Sequence, residues 1–269
     1  MREFLVKIFI YLFYGSLCYK KIVTPQFTKL SEWFDPYTYW SKKNIVTLAS
    51  ELESSGNVLD VGSGGQWARS IFEKEGHKYL GCDIEESVSP DKQDFFVDGA
   101  LIPLPKNSQD LVISNSVLEH IDTPELAVSE ANRVLKKGGH LYCQTNFLYQ
   151  EHGNPSDYYR FTLSGLQALM IRHNFSIVDA AKIGNFSTFI IDNVASYLVG
   201  KMSIILTYFF SLSFVRRFVF LPLLMITIVV NNLISSISLI LFLSIKVLGL
   251  IGVSKNLYYP GVYILCRKM

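Results

Sequence analysis

The sequence predicts an α/β protein, with a mainly parallel sheet covered by helices and a hydrophobic helical insert ahead of the last strand. Three observations carry this. From about residue 56, short apolar runs alternate with stretches of helical period, the pattern of successive strand–helix units. Residues 218–245 then continue for 28 positions without a charge. Finally, YYPGVYILCRK at the C-terminus returns to strand character.

In order, Asn57-Val-Leu-Asp-Val is a short apolar strand running into Gly62, Gly64 and Gly65. Gln66 to Glu75 follows as a helix, with Trp67, Ile71 and Phe72 at helical spacing and Gly76 closing it. Lys78 to Cys82 forms the second strand, ending on Asp83, and Gln93 to Val97 the third, ending on Asp98. Asp110 to Ser114 is the fourth. After the loop Asn115 to Asp122, Thr123 as cap and Pro124 at the first position open a helix that runs to Gly138-Gly139. His140 to Thr145 is the fifth strand, Leu163 to His173 a helix with Leu166, Leu169 and Met170 on one face, and Ser176 to Ile183 the sixth strand.

Composition narrows the function classes. At 49% hydrophobic and 18% charged, the chain is too apolar for an ordinary soluble enzyme, so some surface is expected to meet lipid or a partner. All 23 acidic residues lie in residues 1–192, while residues 193–269 carry only the basic Lys201, Arg216, Arg217, Lys246, Lys255, Arg267 and Lys268. A basic, apolar tail suits an anionic cytoplasmic leaflet, and the acidic body argues against a nucleic-acid partner. Cys18, Cys82, Cys143 and Cys266 form no CxxC pair, and no histidine stands at ligand spacing; no metal site is expected, and a reducing compartment is. The N-terminal MREFLVKIFIYLFYGSLCYKK lacks a small-x-small cleavage signature, and Lys7 interrupts its apolar run. It reads as an interfacial helix, with an uncleaved signal anchor as the rival.

The chemistry-bearing residues sit at the ends of strands. Glycines after a first strand let the backbone approach a nucleotide-like ligand, and an acidic residue about 20 positions on can accept hydrogen bonds from ribose hydroxyls. Asp60-Val-Gly-Ser-Gly followed by Asp83 meets both conditions, with Asp98-Gly99 at the third strand end. A dinucleotide fingerprint would need a glycine where Trp67 stands, and Asp60 beside a pyrophosphate would be repelled, whereas it suits a ligand bearing a cationic amine.

Together VLDVGSGG, GCDI, FVDGALIPLPKNSQDLVIS, SVLEH and RVLKKGGHL resemble the class I S-adenosylmethionine-dependent methyltransferases, in the small-molecule branch of ubiquinone-biosynthesis type. The resemblance covers about residues 56–183 and implies a Rossmann-like seven-stranded sheet, parallel except for an antiparallel last strand. It implies S-adenosyl-L-methionine as cofactor, with Asp60, Gly62 and Gly64 at its methionine end, Asp83 at the ribose, Asp98 at the adenine amine, Asn115 beside it, and Ile84 and Gly99 also among its binding residues. One departure is Gln66 in place of the family's usual third glycine.

On the acceptor side, His120 follows the fourth strand, where an imidazole could serve as general base. Glu119-His120 is also a recurrent family feature with a structural role. The loop Glu151-His-Gly-Asn-Pro-Ser-Asp-Tyr-Tyr-Arg-Phe-Thr resembles a stretch found in a subset of these enzymes, several linked to surface polysaccharides. His152, Tyr158, Tyr159 and Arg160 are therefore expected to grip a polar acceptor, unless Asp157 and Arg160 pair to hold the loop shut. Trp33, Phe34, Tyr37, Tyr39 and Trp40 form either a lid or core packing.

The domain reading is an interfacial helix and aromatic lid region at 1–50, a methyltransferase core at 51–183, a hydrophobic helical insert at 184–257 and the final core strand at 258–269. Because the insert joins two strands of one sheet, it cannot cross a bilayer an odd number of times. It lies in the interface, dips in and returns, or forms a two-helix hairpin; Asn231-Asn232 near the middle of the uncharged run would be costly in lipid unless they meet partners or mark a turn, and a shallow hairpin fits best. The expected function is methyl transfer at the cytoplasmic membrane surface to an amphipathic acceptor such as a lipid-linked sugar, glycolipid or quinone precursor. The alternatives are methylation of a soluble metabolite with the insert as a tether, and an inactive membrane-bound scaffold.

Overall fold

The computed structural model describes residues 36–52, 55–85, 89–97, 101–152, 156–184 and 259–269, together with helical positions between 221 and 233. The segment before residue 36, Asp98-Gly99 and nearly all of the 184–257 insert lie outside the described residues. Among the described residues, no helix is long and apolar enough to cross a membrane.

The elements are α1 (Pro36–Glu51), β1 (Asn57–Val61), α2 (Arg69–Lys74), β2 (Lys78–Asp83), β3 (Phe95–Phe96), β4 (Gln109–Asn115), α3 (Pro124–Val134), β5 (Leu135–Asn146), α4 (Leu163–Arg172), β6 (Phe175–Ile183) and β7 (Gly261–Lys268). They build one seven-stranded sheet in the order β3-β2-β1-β4-β5-β7-β6. Only β7 runs against its neighbours, pairing antiparallel with both β5 and β6. This is the Rossmann-like arrangement expected from the resemblance. The sheet and its helices form one compact unit, Tyr37–Gly184 with Tyr259–Met269.

The central strands β1, β4 and β5 are largely buried on both faces, so their alternation separates two cores rather than a core from solvent. Leu59, Val112, Leu141 and Cys143 point to one face, where Val128, Ala131 and Val134 of α3 and Leu166, Leu169 and Met170 of α4 cover them. Val58, Leu111, Ile113 and Tyr142 point to the other, against Ile45 and Ala49 of α1 and Phe72 of α2. Each fully buried large side chain contributes about 1.5–3 kcal/mol. Tyr37 and Trp40 pack on this second core, so the C-terminal part of the expected lid region belongs to the body of the fold.

Three local expectations are corrected. The helix opened by Pro124 ends at Val134, not at Gly138-Gly139, because Leu135, fully buried, already pairs with Gln109; β5 then bulges, with Gly138 at φ 79° supplying the left-handed turn. Thr123 precedes α3 but does not cap it; its hydroxyl donates to the neighbouring Asp122 carboxylate at 3.0 Å. Gln66 and Trp67 stand before α2, which begins at Arg69, and Trp67 is 40% exposed rather than facing the core.

Candidate active site

Parallel register brings the C-terminal ends of four strands to one edge: Val61 lies beside Cys82 and Ser114, and Asn115 beside Gln144. Asp60, Gly62, Gly64, Asp83, Ile84 and Asn115 all collect there. The turn after β1 is closed by the Gly62 and Ser63 amides, which donate to Cys82 O at 2.8 and 3.0 Å. Gly62 sits at φ 68°, and a Cβ there would come within 2.3 Å of Val117, so two independent constraints demand glycine. Gly64 is also left-handed, but a Cβ on it would meet nothing within 4 Å, which leaves its outer side open for a ligand. Its amide donates to Asp83 Oδ2 at 2.9 Å, and the Ile84 amide to Asp83 Oδ1 at 2.9 Å.

Gln66 fills the place of the missing glycine without entering the ligand space. It adopts φ 55°, and its buried side chain lies beneath the loop. Nε2 approaches Gly81 O at 3.4 Å and Gln93 Oε1 at 3.3 Å, while Oε1 accepts from Arg69 Nε at 2.7 Å. Gly81 makes this possible, since a Cβ there would stand 2.4 Å from Gln66 Nε2.

Asp60 is buried, and its carboxylate accepts a hydrogen bond from Tyr79 Oη. Burial pushes its pKa up to about 7, the Tyr79 hydrogen bond opposing this and the nearby Asp83 charge adding to it. Such a carboxyl favours a cationic neighbour.

The residues that sequence reasoning missed come from α1. Tyr37 Oη and Ser116 Oγ are 2.8 Å apart, Ser41 Oγ donates to Asn115 Oδ1 at 3.0 Å, and Gln144 Nε2 donates to Tyr37 O at 3.1 Å. The start of α1 thus lies over the ends of β4 and β5. A Cβ on Gly261 would stand 2.5 Å from the Tyr37 ring, so β7 supplies the seat for that ring. The aromatic cluster was the signal in the sequence, and core packing is the more common role of such a cluster.

Next to this edge, Glu119 is fully buried and accepts from Thr145 Oγ1 and Asn146 Nδ2, each at 2.7 Å. Burial raises its pKa, partly offset by the Thr145 hydrogen bond and by His120 and His152. The Glu119 carbonyl takes the amides of Tyr158 and Tyr159 at 2.8 and 3.2 Å, which ties the post-β5 loop to the short turn Leu118–His120. His120 Nδ1 bonds Ser156 O at 2.6 Å, and its ring meets that of His152 edge to face at 4.9 Å between centroids. The structure brings His120 and His152 together.

Arg160 plays another part. Its five N–H donors are all taken, by both Asp157 oxygens and by the carbonyls of Tyr149, Gln150 and Tyr159. It is a clamp on the loop rather than a grip on the acceptor, and the guanidinium holds the Asp157 carboxyl well below the usual range. Tyr159 Oη donates to Asp122 O at 2.8 Å, while Tyr158 is 53% exposed.

Residues 59–143 match the family model described as a methyltransferase domain. The chain is 46% identical over 116 residues to the malonyl-[acyl-carrier protein] O-methyltransferase of Hahella chejuensis, a match covering 38% of this chain and 40% of that protein. The chain carries an S-adenosylmethionine-dependent methyltransferase domain. An uncharacterized protein, MJ1123, of Methanocaldococcus jannaschii is 28% identical over 145 residues, covering 47% of this chain and 68% of its own. The [4+2]-cyclase SpnF shares the fold, with a TM-score of 0.50 and 15% identity over 86% of this chain and 82% of its own.

The methyltransferase site fits its cofactor on its own geometry: an open face at Gly64, carboxylate oxygens of Asp83 at the end of β2, and a buried Asp60 that favours a cation. A pH dependence follows. With its pKa near 7 in the ligand-free protein, Asp60 must lose a proton below that pH before it can face the ligand's ammonium. Affinity for S-adenosylhomocysteine is therefore expected to rise about fivefold from pH 6 to pH 7, about tenfold in all by pH 8, and to level off above that. Calorimetric titration across pH 5.5–8.5 checks this, and Asp60→Asn should flatten the profile. The same shift means that Asp60 favours the empty fold most at low pH, a contribution lost as pH rises through about 7.

Proposed function

We propose that the methyltransferase acts at the cytoplasmic face of a membrane, on an oxygen of an amphipathic acceptor such as a lipid-linked sugar, glycolipid or quinone precursor. The observation that carries this is where the insert joins the fold. Ile183, the last residue of β6, and Gly261, the first of β7, are register partners, and Gly261 also pairs with Asn146. Segment 185–258 thus leaves and returns at the edge that holds Asp60, Asp83 and Asn115. Its composition supports a lipid neighbour: the 28-residue uncharged run lies within a stretch that has basic residues and no acidic ones. The described positions Leu221, Met225, Ile226, Val229, Val230 and Leu233 are exposed apolar side chains at helical spacing.

S-adenosylmethionine, when bound, supplies a methyl group on a cationic sulfur. Asp60 and Asp83 would hold its two polar ends, and the α1 residues Tyr37 and Ser41 steady Ser116 and Asn115 at the same edge. The imidazoles of His120 and His152 offer lone pairs to an acceptor hydroxyl and ease the loss of its proton. Closure around both reactants supplies much of the remaining rate.

The test is incubation of the purified protein with methyl-labelled cofactor and a total membrane lipid extract, alongside flotation on anionic and zwitterionic vesicles. Label in the organic phase and flotation favouring anionic vesicles are expected. Protein that stays below the gradient, with label only in water-soluble products, would replace this reading with methylation of a soluble metabolite.

A further inference from the structure

The acceptor side holds a cluster that the transfer reading uses only in part. Atoms able to ligate a metal from Glu119, His120 and His152 all lie within 4.8 Å of one another. Both rings are oriented from their Nδ1 side: His120 by Ser156 O at 2.6 Å, and His152 by Gln150 O at 3.2 Å and the Asp157 carboxylate at 3.1 Å. A carbonyl oxygen only accepts, so Nδ1 carries the proton on each neutral ring and Nε2 keeps the free lone pair. Imidazoles that ligate metals are held in this way, with one nitrogen donating to a carbonyl or carboxylate and the other offered to the ion. Glu119 is supported likewise, by Thr145 and Asn146.

We propose that Glu119, His120 and His152 form a binding site for a divalent transition-metal ion of the zinc class, with an open position for the acceptor hydroxyl. Two imidazoles and one carboxylate suit zinc, cobalt or manganese better than magnesium or calcium, which take oxygen ligands. Metal–ligand bonds of about 2.1 Å require the three groups to draw closer than 4.8 Å. The movable partner is His152, whose side chain is 34% exposed, whereas Glu119 is fixed in the interior. Sequence spacing gave no hint, because His152 comes from the loop after β5 and meets Glu119-His120 only when that loop folds back.

The inference rests on the transfer reading and changes how the histidines act on the hydroxyl: an Nε2 lone pair bound to the ion no longer takes a proton, so the imidazoles act through the ion. A cation withdraws charge from the acceptor oxygen, whose proton passes to solvent. The oxygen lone pair forms the new O–C bond, and the electron pair of the broken S–C bond stays on sulfur.

The test uses the full, tag-free chain in detergent after dialysis against a chelator. Zn²⁺ is titrated calorimetrically and Co²⁺ by its visible ligand-field bands, into the natural chain, His120→Ala and His152→Ala. S-adenosylhomocysteine binding is measured on the same samples as a check on folding. We expect one ion per chain, with affinity at least about tenfold weaker in each variant and cofactor-product binding intact. A natural chain that binds S-adenosylhomocysteine but takes up no ion, or variants that bind the ion as the natural chain does, overturns the metal site alone. Failure of the folded natural chain to bind S-adenosylhomocysteine overturns the transfer reading beneath it.

Discussion

Asp83→Ala is expected to weaken S-adenosylhomocysteine binding by about two orders of magnitude or more, with little loss of fold stability. The two Asp83 oxygens accept from the Gly64 and Ile84 amides, so the carboxylate shapes the glycine loop, and by the family resemblance it would also accept from the ribose hydroxyls. Hydrogen bonds to a charged group contribute roughly 1.5–3 kcal/mol each, and losing two amounts to about a hundredfold or more in Kd. The fold is spared because Asp83 ends β2 at the ligand edge rather than within the core. Calorimetry on the natural chain, Asp83→Asn and Asp83→Ala should give a graded loss, since asparagine retains one acceptor oxygen. Affinity within about threefold of the natural chain in the alanine variant would remove Asp83 from the cofactor site.

The second large effect falls on stability. Glu119→Ala removes a carboxylate with no exposed surface and strands two buried donors, Thr145 Oγ1 and Asn146 Nδ2. Each stranded donor costs about 1–3 kcal/mol, and the space left behind adds to this, giving a loss on the order of 3–5 kcal/mol. In a domain of this size that lowers Tm by on the order of 10 °C. Glu119→Gln keeps one acceptor oxygen and should lose less. Thermal unfolding followed by circular dichroism is the measurement, and an alanine variant melting within about 2 °C of the natural chain would show that Glu119 is not the anchor of this edge. Because Glu119 has this structural duty, the metal proposal is tested through the two histidines.

Much of the fold was legible in the sequence because its cause is local and periodic. The apolar run of β1 and the face shared by Leu166, Leu169 and Met170 of α4 follow from burial on one or both sides of an element. The boundary after α3 was misread for the opposite reason. Gly138-Gly139 carries the local signature of a helix end, but pairing of Leu135 with Gln109 converts the preceding residues to strand, and no local signal records a distant partner.

The same division holds at the site. Glycines, and carboxylates at strand ends, announce a cofactor edge by type and spacing alone, because ligand approach and ribose recognition constrain residues close together in the chain. Sequence by itself thus determined the α/β class and the cofactor chemistry, and it nominated Asp60, Gly62, Gly64 and Asp83, which the fold gathers at one sheet edge. Tertiary structure alone decided the rest: that Tyr37 and Ser41 reach Ser116 and Asn115, that Arg160 spends every donor on its own loop, and that His152 meets His120 beside a buried Glu119. These contacts join residues far apart in the chain, and their energies depend on burial and on hydrogen-bond partners that exist only once the chain has folded.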